Sequence, residues 1–267
     1  VCLDYHLEEL MMLELFGIIA LGFVFSILSN NTIDQTPKKR TYSTPTPYCP
    51  SCATKLVWKD MLPFYSYYKS RGKCPYCNAP LPVRNLLVDF LGVLWVSFYI
   101  FKFGWSFEGS MAMLYGMALI GIIFLTQEKR ELSDSLMMIM GMLAVIHFLA
   151  YNPDRFPEAA LSMIFGIAAL ALYNIVKIFT TTDSSFELTE IKLGALLGLF
   201  LGMDLGLVAL FFAMAIGAVL GSINVKYFNK RSEDALPQFS ELLATAGLLA
   251  ILWGQDIVDF YQSLMIG

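Results

Sequence analysis

Long apolar runs decide most of what this chain can become. Stretches at about 10–28, 86–103, 111–126, 136–150, 159–179, 191–203, 205–224 and 242–261 carry few charges. Runs of about 18 or more apolar residues read as membrane helices. A helix suits the bilayer because it satisfies its own backbone polar groups where no water can. Composition agrees, since 57% of the 267 residues are hydrophobic and only 15% are charged, against about 25% charged in a soluble domain. The expected fold is all-α: a polytopic membrane helical bundle of about eight transmembrane helices. The runs at 136–150 and 191–203 are short, so they tilt against neighbours or extend into the interface. Only Asp204 separates the sixth run from the seventh.

Net charge, −4, says little because the charges are sorted by position. The loop at 29–85 holds Lys38, Lys39, Arg40, Lys55, Lys59, Lys69, Arg71, Lys73 and Arg84. Alternate connections add Lys129, Arg130, Lys177, Lys192, Lys226, Lys230 and Arg231 to the same side. Only Lys102 and Arg155, of 18 basic residues, fall on the other. Positive charge marks the cytoplasmic side of short loops. The expected topology is therefore a multi-pass inner-membrane protein with loop 29–85 in the cytoplasm and both termini outside. Asp4, Glu8 and Glu9 stand where a secretory signal carries basic residues, so no such signal is read there. No broad basic surface exists outside the one loop, and no nucleic-acid partner is expected. Three regions follow: an N-terminal transmembrane helix at 1–28, a cytoplasmic linker and cysteine loop at 29–85, and a transmembrane helical bundle at 86–267.

The loop carries Cys49-Pro-Ser-Cys52 and Cys74-Pro-Tyr-Cys77, two C-x-x-C pairs separated by 21 residues. Each pair presents two thiolates from one tight knuckle, and two knuckles close a tetrahedron. Four sulfurs at about 2.3 Å with no open position suit structural zinc. A reducing cytoplasm disfavours the alternative of two structural disulfides. A loop with so few aliphatic residues also needs a staple to fold. The expected metal ligands are Cys49, Cys52, Cys74 and Cys77, in a small zinc-ribbon-like loop. Between the first helix and this loop, Ser29 to Pro47 is rich in Asn, Thr, Pro and Lys and reads as a flexible linker.

Further motifs carry a resemblance. The run from Cys49 through Trp58-Lys-Asp-Met-Leu-Pro63, Arg71-Gly-Lys-Cys74, Pro80 and Arg84 to Val88-Asp89 resembles the bacterial prepilin leader peptidases. So does the ending Ala235-Leu-Pro-Gln-Phe239, Ala246-Gly247 and Leu252-Trp-Gly254. The resemblance covers the chain from about residue 49 onward. It implies a membrane aspartic protease that removes the basic leader from type IV prepilins and pseudopilins at the cytoplasmic membrane face. It also implies methyl transfer from S-adenosylmethionine, although no glycine-rich nucleotide fingerprint is present. The implied partners are a prepilin or pseudopilin substrate helix and the lipid bilayer.

The implied catalytic positions depart from the family pattern. An Ile-Asp-x6-Pro-Asp pattern falls on Leu125-Thr126 through Ser133-Asp134, so threonine stands at the first aspartate and Asp134 at the second. A Gly-x-Gly-Asp-x-Lys pattern falls on Glu187-Leu-Thr-Glu190-Ile-Lys192, with glutamate for aspartate. An aspartic protease needs two carboxyls that share a proton, one activating water while the other polarises the carbonyl. Thr126 offers only a hydroxyl. Glutamate is one methylene longer, and a displacement of about 1 Å can cost roughly a hundredfold in rate.

Candidate site residues are therefore Glu190, Asp134, Glu128 and Thr126. Three functions stay open: a relative with a divergent or degenerate proteolytic site that still engages leader segments, an active peptidase using Glu190 with Glu128 or Asp134, and a non-enzymatic partner-binding scaffold. Structural readings stand beside these. Glu190 follows Thr189 and suits the first turn of a helix, where the dipole favours acid. Asp134 after Ser133 suits the start of the fourth run, and Glu128 with Glu131 beside Lys129 and Arg130 suits a solvated turn. Lys192 suits a snorkelling interface lysine, His147 suits hydrogen-bonded packing, and Glu241 suits either a helix contact or water. Gly194, Gly198 and Gly202 step by four, a spacing that lets another helix approach.

Overall fold

The computed structural model describes residues 17, 22, 52, 54, 73–79, 83–104, 106–127, 134–151, 153–180, 188–228 and 238–266. Most of the first expected span, the linker, Cys49, Glu128 and Glu131 lie outside the described residues. Among the described residues the regular elements are helical: α1 (Val83–Phe103), α2 (Phe107–Gln127), α3 (Asp134–Tyr151), α4 (Phe156–Thr180), α5 (Leu188–Phe228) and α6 (Phe239–Ile266). A short 3-10 turn, Pro153–Arg155, leads from α3 to α4. The chain divides into two compact units, Val1–Phe124 and Leu125–Gly267.

In the first unit, local chemistry makes the α1–α2 hairpin. Gly104 takes φ 70° and its N–H donates to Ile100 O at 2.8 Å, which ends α1 with a left-handed residue. Ser106 then caps α2, its Oγ accepting from Gly109 N–H at 2.9 Å. The two helices run antiparallel, with Trp95 Nε1 donating to Met113 O at 3.1 Å. Gly116 leaves the room for that indole, because a β-carbon there would overlap the Trp95 ring.

The second unit is organised around α5. Helices α4 and α6 pack along it extensively, and α3 less so. Helix α4 runs antiparallel to the first part of α5, since Asn174 meets Glu190, Gly166 meets Gly194 and Ser162 meets Gly198. Helix α3 runs parallel to the same part, from Asp134 beside Lys192 to His147 beside Phe200. Helix α6 runs antiparallel to the later part, with Gly217 at Leu242 and Gly254 at Leu205. Glycine makes the α4–α5 seam close. A β-carbon on Gly198 would lie 2.6 Å from Ser162 O, and one on Gly166 would lie 2.7 Å from Gly194 O. The stepped spacing of Gly194 and Gly198 therefore does what it predicts.

Gly202 does something else. Its φ of 76° and ψ of −174° belong to a region that only glycine visits readily. A β-carbon there would meet nothing within 4 Å, so its role is to bend the chain rather than to pack. The bend is sharp. Gly198 and Gly206 would stand about 12 Å apart along a straight helix, yet the β-carbon position of Gly206 lies 3.9 Å from Gly198 Cα. Unbent, the 41 residues of α5 would reach about 60 Å, twice the thickness of a bilayer core.

Among the described residues five helices are long and apolar enough to cross a membrane: Leu86–Phe103, Gly109–Gln127, Pro153–Ile175, Leu188–Ile223 and Phe239–Met265. Leu136–Ala150 is a shorter apolar helix. This count differs from the eight expected spans for two physical reasons. The expected sixth and seventh runs are two helices that meet at the kink at Gly202 and count together as Leu188–Ile223, and the 136–150 run is short. The expected span at 10–28 lies mostly outside the described residues.

Candidate functional site

One end of the second unit gathers the candidate residues. A chain of contacts ties it together. Gln127, ending α2, donates through Nε2 to Glu241 Oε1 at 2.9 Å. Two residues before Glu241, Phe239 stacks on Tyr173 of α4 with ring centroids 4.4 Å apart. Next to Tyr173, Asn174 donates through Nδ2 to Glu190 Oε2 at 3.2 Å. Two residues beyond Glu190, Lys192 Nζ pairs with Asp134 Oδ1 at 2.8 Å. Thr126, beside Gln127, is 4% exposed. Helix termini from α2, α3, α4, α5 and α6 thus meet at one surface, as the sequence topology predicts for residues near 126–134 and 190.

The two acids there occupy opposite environments. Glu190 is 1% exposed and sits in the first turn of α5. Asn174, also 1% exposed, uses the same amide nitrogen for Leu170 O at 3.0 Å, one turn back on α4. That second bond fixes the amide so that its other hydrogen faces the carboxyl. Asp134 is 82% exposed and holds Lys192, itself 44% exposed. Residues two apart on a helix do not share a face, so Glu190 points into the bundle while Lys192 points out. Lys192 is thus an ion-pair partner rather than a lone interface lysine. Glu241 takes the helix-contact reading. His147 is buried among the rings of Phe148 and Phe200, each with centroids 5.1 Å from its own, which is the packing reading.

Sequence reasoning missed Asn174 and Gln127. A signal for Asn174 was present, since it is an amide inside the apolar run that ends α4. Polar groups in such runs usually find partners across helices. Gln127 carried no comparable signal, because it lies where α2 gives way to a charged connection.

The cysteine knuckle lies in the first unit. Sulfurs of Cys52, Cys74 and Cys77 lie within 4.8 Å of one another and could together hold a metal ion. Four sulfurs at about 2.3 Å from zinc stand roughly 3.8 Å apart, so the spacing fits. The backbone around Cys74 is a tight turn: Asn78 N–H donates to Cys74 O at 2.9 Å and Cys74 N–H donates to Ala79 O at 2.8 Å. Asn78 closes it at φ 59°, a left-handed conformation that asparagine tolerates better than most residues.

Residues 15–103 match the family model of the bacterial peptidase A24 N-terminal domain, which takes in both cysteine pairs and α1. The prepilin leader peptidase/N-methyltransferase of Pseudomonas aeruginosa is 27% identical over 235 residues, covering 86% of this chain and 79% of that protein. The chain is similar to the prepilin leader peptidases over most of its length. The same named protein of Legionella pneumophila is 27% identical over 220 residues, covering 81% of this chain and 75% of that protein. Its counterpart in Myxococcus xanthus is 29% identical over 203 residues, covering 75% of this chain and 60% of that protein. No solved structure matches the chain. With five apolar helices of spanning length among the described residues, the chain is a multi-pass membrane protein.

Proposed function

We propose that this protein engages the leader segments of type IV prepilins or pseudopilins at the cytoplasmic membrane face, with a proteolytic site too altered to cut them by the paired-carboxyl route. One observation carries the reading. Where the family pattern calls for two aspartates, Thr126 supplies a hydroxyl and Glu190 is a buried carboxyl held by the Asn174 amide. Proton sharing between two acids needs a second acid at that place. Asp134 is committed to Lys192 on the exposed face, and Glu128 lies outside the described residues. The sorting of basic residues supports a cytoplasmic location for this end and for the cysteine loop. The knuckle geometry supports zinc as a structural ion held by Cys52, Cys74 and Cys77, with Cys49 completing the set by sequence. Methyl transfer is carried by the names of the relatives, and S-adenosylmethionine by the family resemblance of the sequence.

Co-expression with a prepilin, followed by mass measurement of the prepilin N-terminus, tests this. An intact leader recovered in a stable complex is the expected result. A removed leader overturns the reading in favour of an active peptidase. Glu190→Gln then decides whether Glu190 serves in that activity, since undiminished cleavage would exclude it.

A further inference from the structure

The candidate metal knuckle has a polar neighbour that metal–thiolate chemistry would use. Cys52 Sγ lies 3.2 Å from Thr54 Oγ1, in hydrogen-bond contact across two residues. Both residues are half-buried, so the bond is partly sheltered from water. A thiol can donate its proton to the hydroxyl, but a metal-bound sulfur has no proton left and can only accept. In that state the hydrogen between these atoms comes from threonine. The other knuckle is held differently, by backbone bonds that close on the carbonyls of Cys74 and Ala79. Outer-shell partners of this kind orient a ligand and tune how it binds the ion.

We propose that Thr54 is a positioning residue of the candidate metal centre, its hydroxyl donating to the Cys52 thiolate and fixing the direction in which that sulfur meets the ion. The inference rests on the reading of the cysteines as metal ligands. Nothing in the composition of the C-x-x-C pairs points to residue 54. Only the folded chain shows the hydroxyl against the sulfur.

The test uses the full chain in detergent, loaded with zinc or cobalt(II), and two variants. Thr54→Val keeps the shape and removes the hydroxyl, whereas Thr54→Ser keeps the hydroxyl and removes a methyl. Zinc affinity is read by competition with a chromogenic chelator, and the sulfur-to-cobalt charge-transfer band reports the ligand field. Thr54→Val should weaken zinc binding by about tenfold or more and shift that band, while Thr54→Ser stays close to the parent. Parent-like affinity and spectrum in Thr54→Val would overturn the proposal. So would equal weakening in both variants, because the methyl group would then be the important part. A parent chain that takes up neither metal sinks the metal reading itself, and that result needs no Thr54 variant to be seen.

Discussion

Adding one methyl group to Gly198 should disturb the candidate site from a distance. In Gly198→Ala the new carbon would lie 2.6 Å from Ser162 O, 3.0 Å from Ser162 C and 3.2 Å from Met163 N. Ordinary contact begins near 3.4 Å, so the shortfall at the carbonyl is about 0.8 Å. Every atom in the way is backbone, so no side-chain rotation relieves it. Helix α4 must move away from α5. Overpacking of this kind costs about 1–3 kcal/mol, and the intrinsic helix gain of alanine over glycine returns about 1 kcal/mol. With backbone on every side the overpacking cost falls at the upper end of that range, so the net loss should be about 2 kcal/mol. Gly194→Ala is the internal control, because its closest obstacle is Leu170 Cδ1, the far end of a flexible side chain. It should cost less even though that contact is the closer one.

The assay is reversible unfolding in mixed micelles, with ΔΔG taken for both variants. Because Asn174 rides on α4, a displaced α4 should also loosen its bond to Glu190. A carbodiimide probe should then label Glu190 faster in Gly198→Ala than in the parent. Equal stability of Gly198→Ala and the parent, or a larger loss in Gly194→Ala, would refute the argument that backbone contact governs this seam.

Replacing Asn174 by leucine removes the amide that reaches both Leu170 O and Glu190 Oε2; it should destabilise the protein by about 1–3 kcal/mol, and a double-mutant cycle with Glu190→Met should recover part of that loss. In Gly202→Ala the left-handed bend carries a side chain, so unfolding measurements should show a loss of about 1–3 kcal/mol even though the position has open space around it. Asp134→Asn breaks only the exposed pair with Lys192, and stability should change by no more than about 1 kcal/mol. Cys74→Ser replaces a buried thiol of the knuckle; elemental analysis should then find the bound metal reduced relative to the parent, alongside faster proteolysis of the cysteine loop.

The sequence alone determined the solvent. Unbroken apolar runs of that length suit helices, which satisfy their own backbone polar groups in a bilayer. Paired C-x-x-C spacing likewise marked a sulfur site without coordinates, because two knuckles of that length need little else to converge. The placement of Glu190 and Asp134 at one end was legible too, since their helices begin on the same side.

Tertiary structure decided which of those residues is sequestered. Glu190 and Lys192 are two positions apart in a short polar segment, and nothing local says which faces the bundle. The glycine seam settles it by setting how closely α4 approaches α5 and in what register, and that register delivers Asn174 to the carboxyl. Gly202 shows the same limit. Its place in a regular glycine ladder read as packing, but its backbone angles make it the bend. Hydrophobic patterning records how much surface must be buried. Which partner a particular buried group finds depends on shape complementarity between segments far apart in sequence, and only the folded chain supplies that.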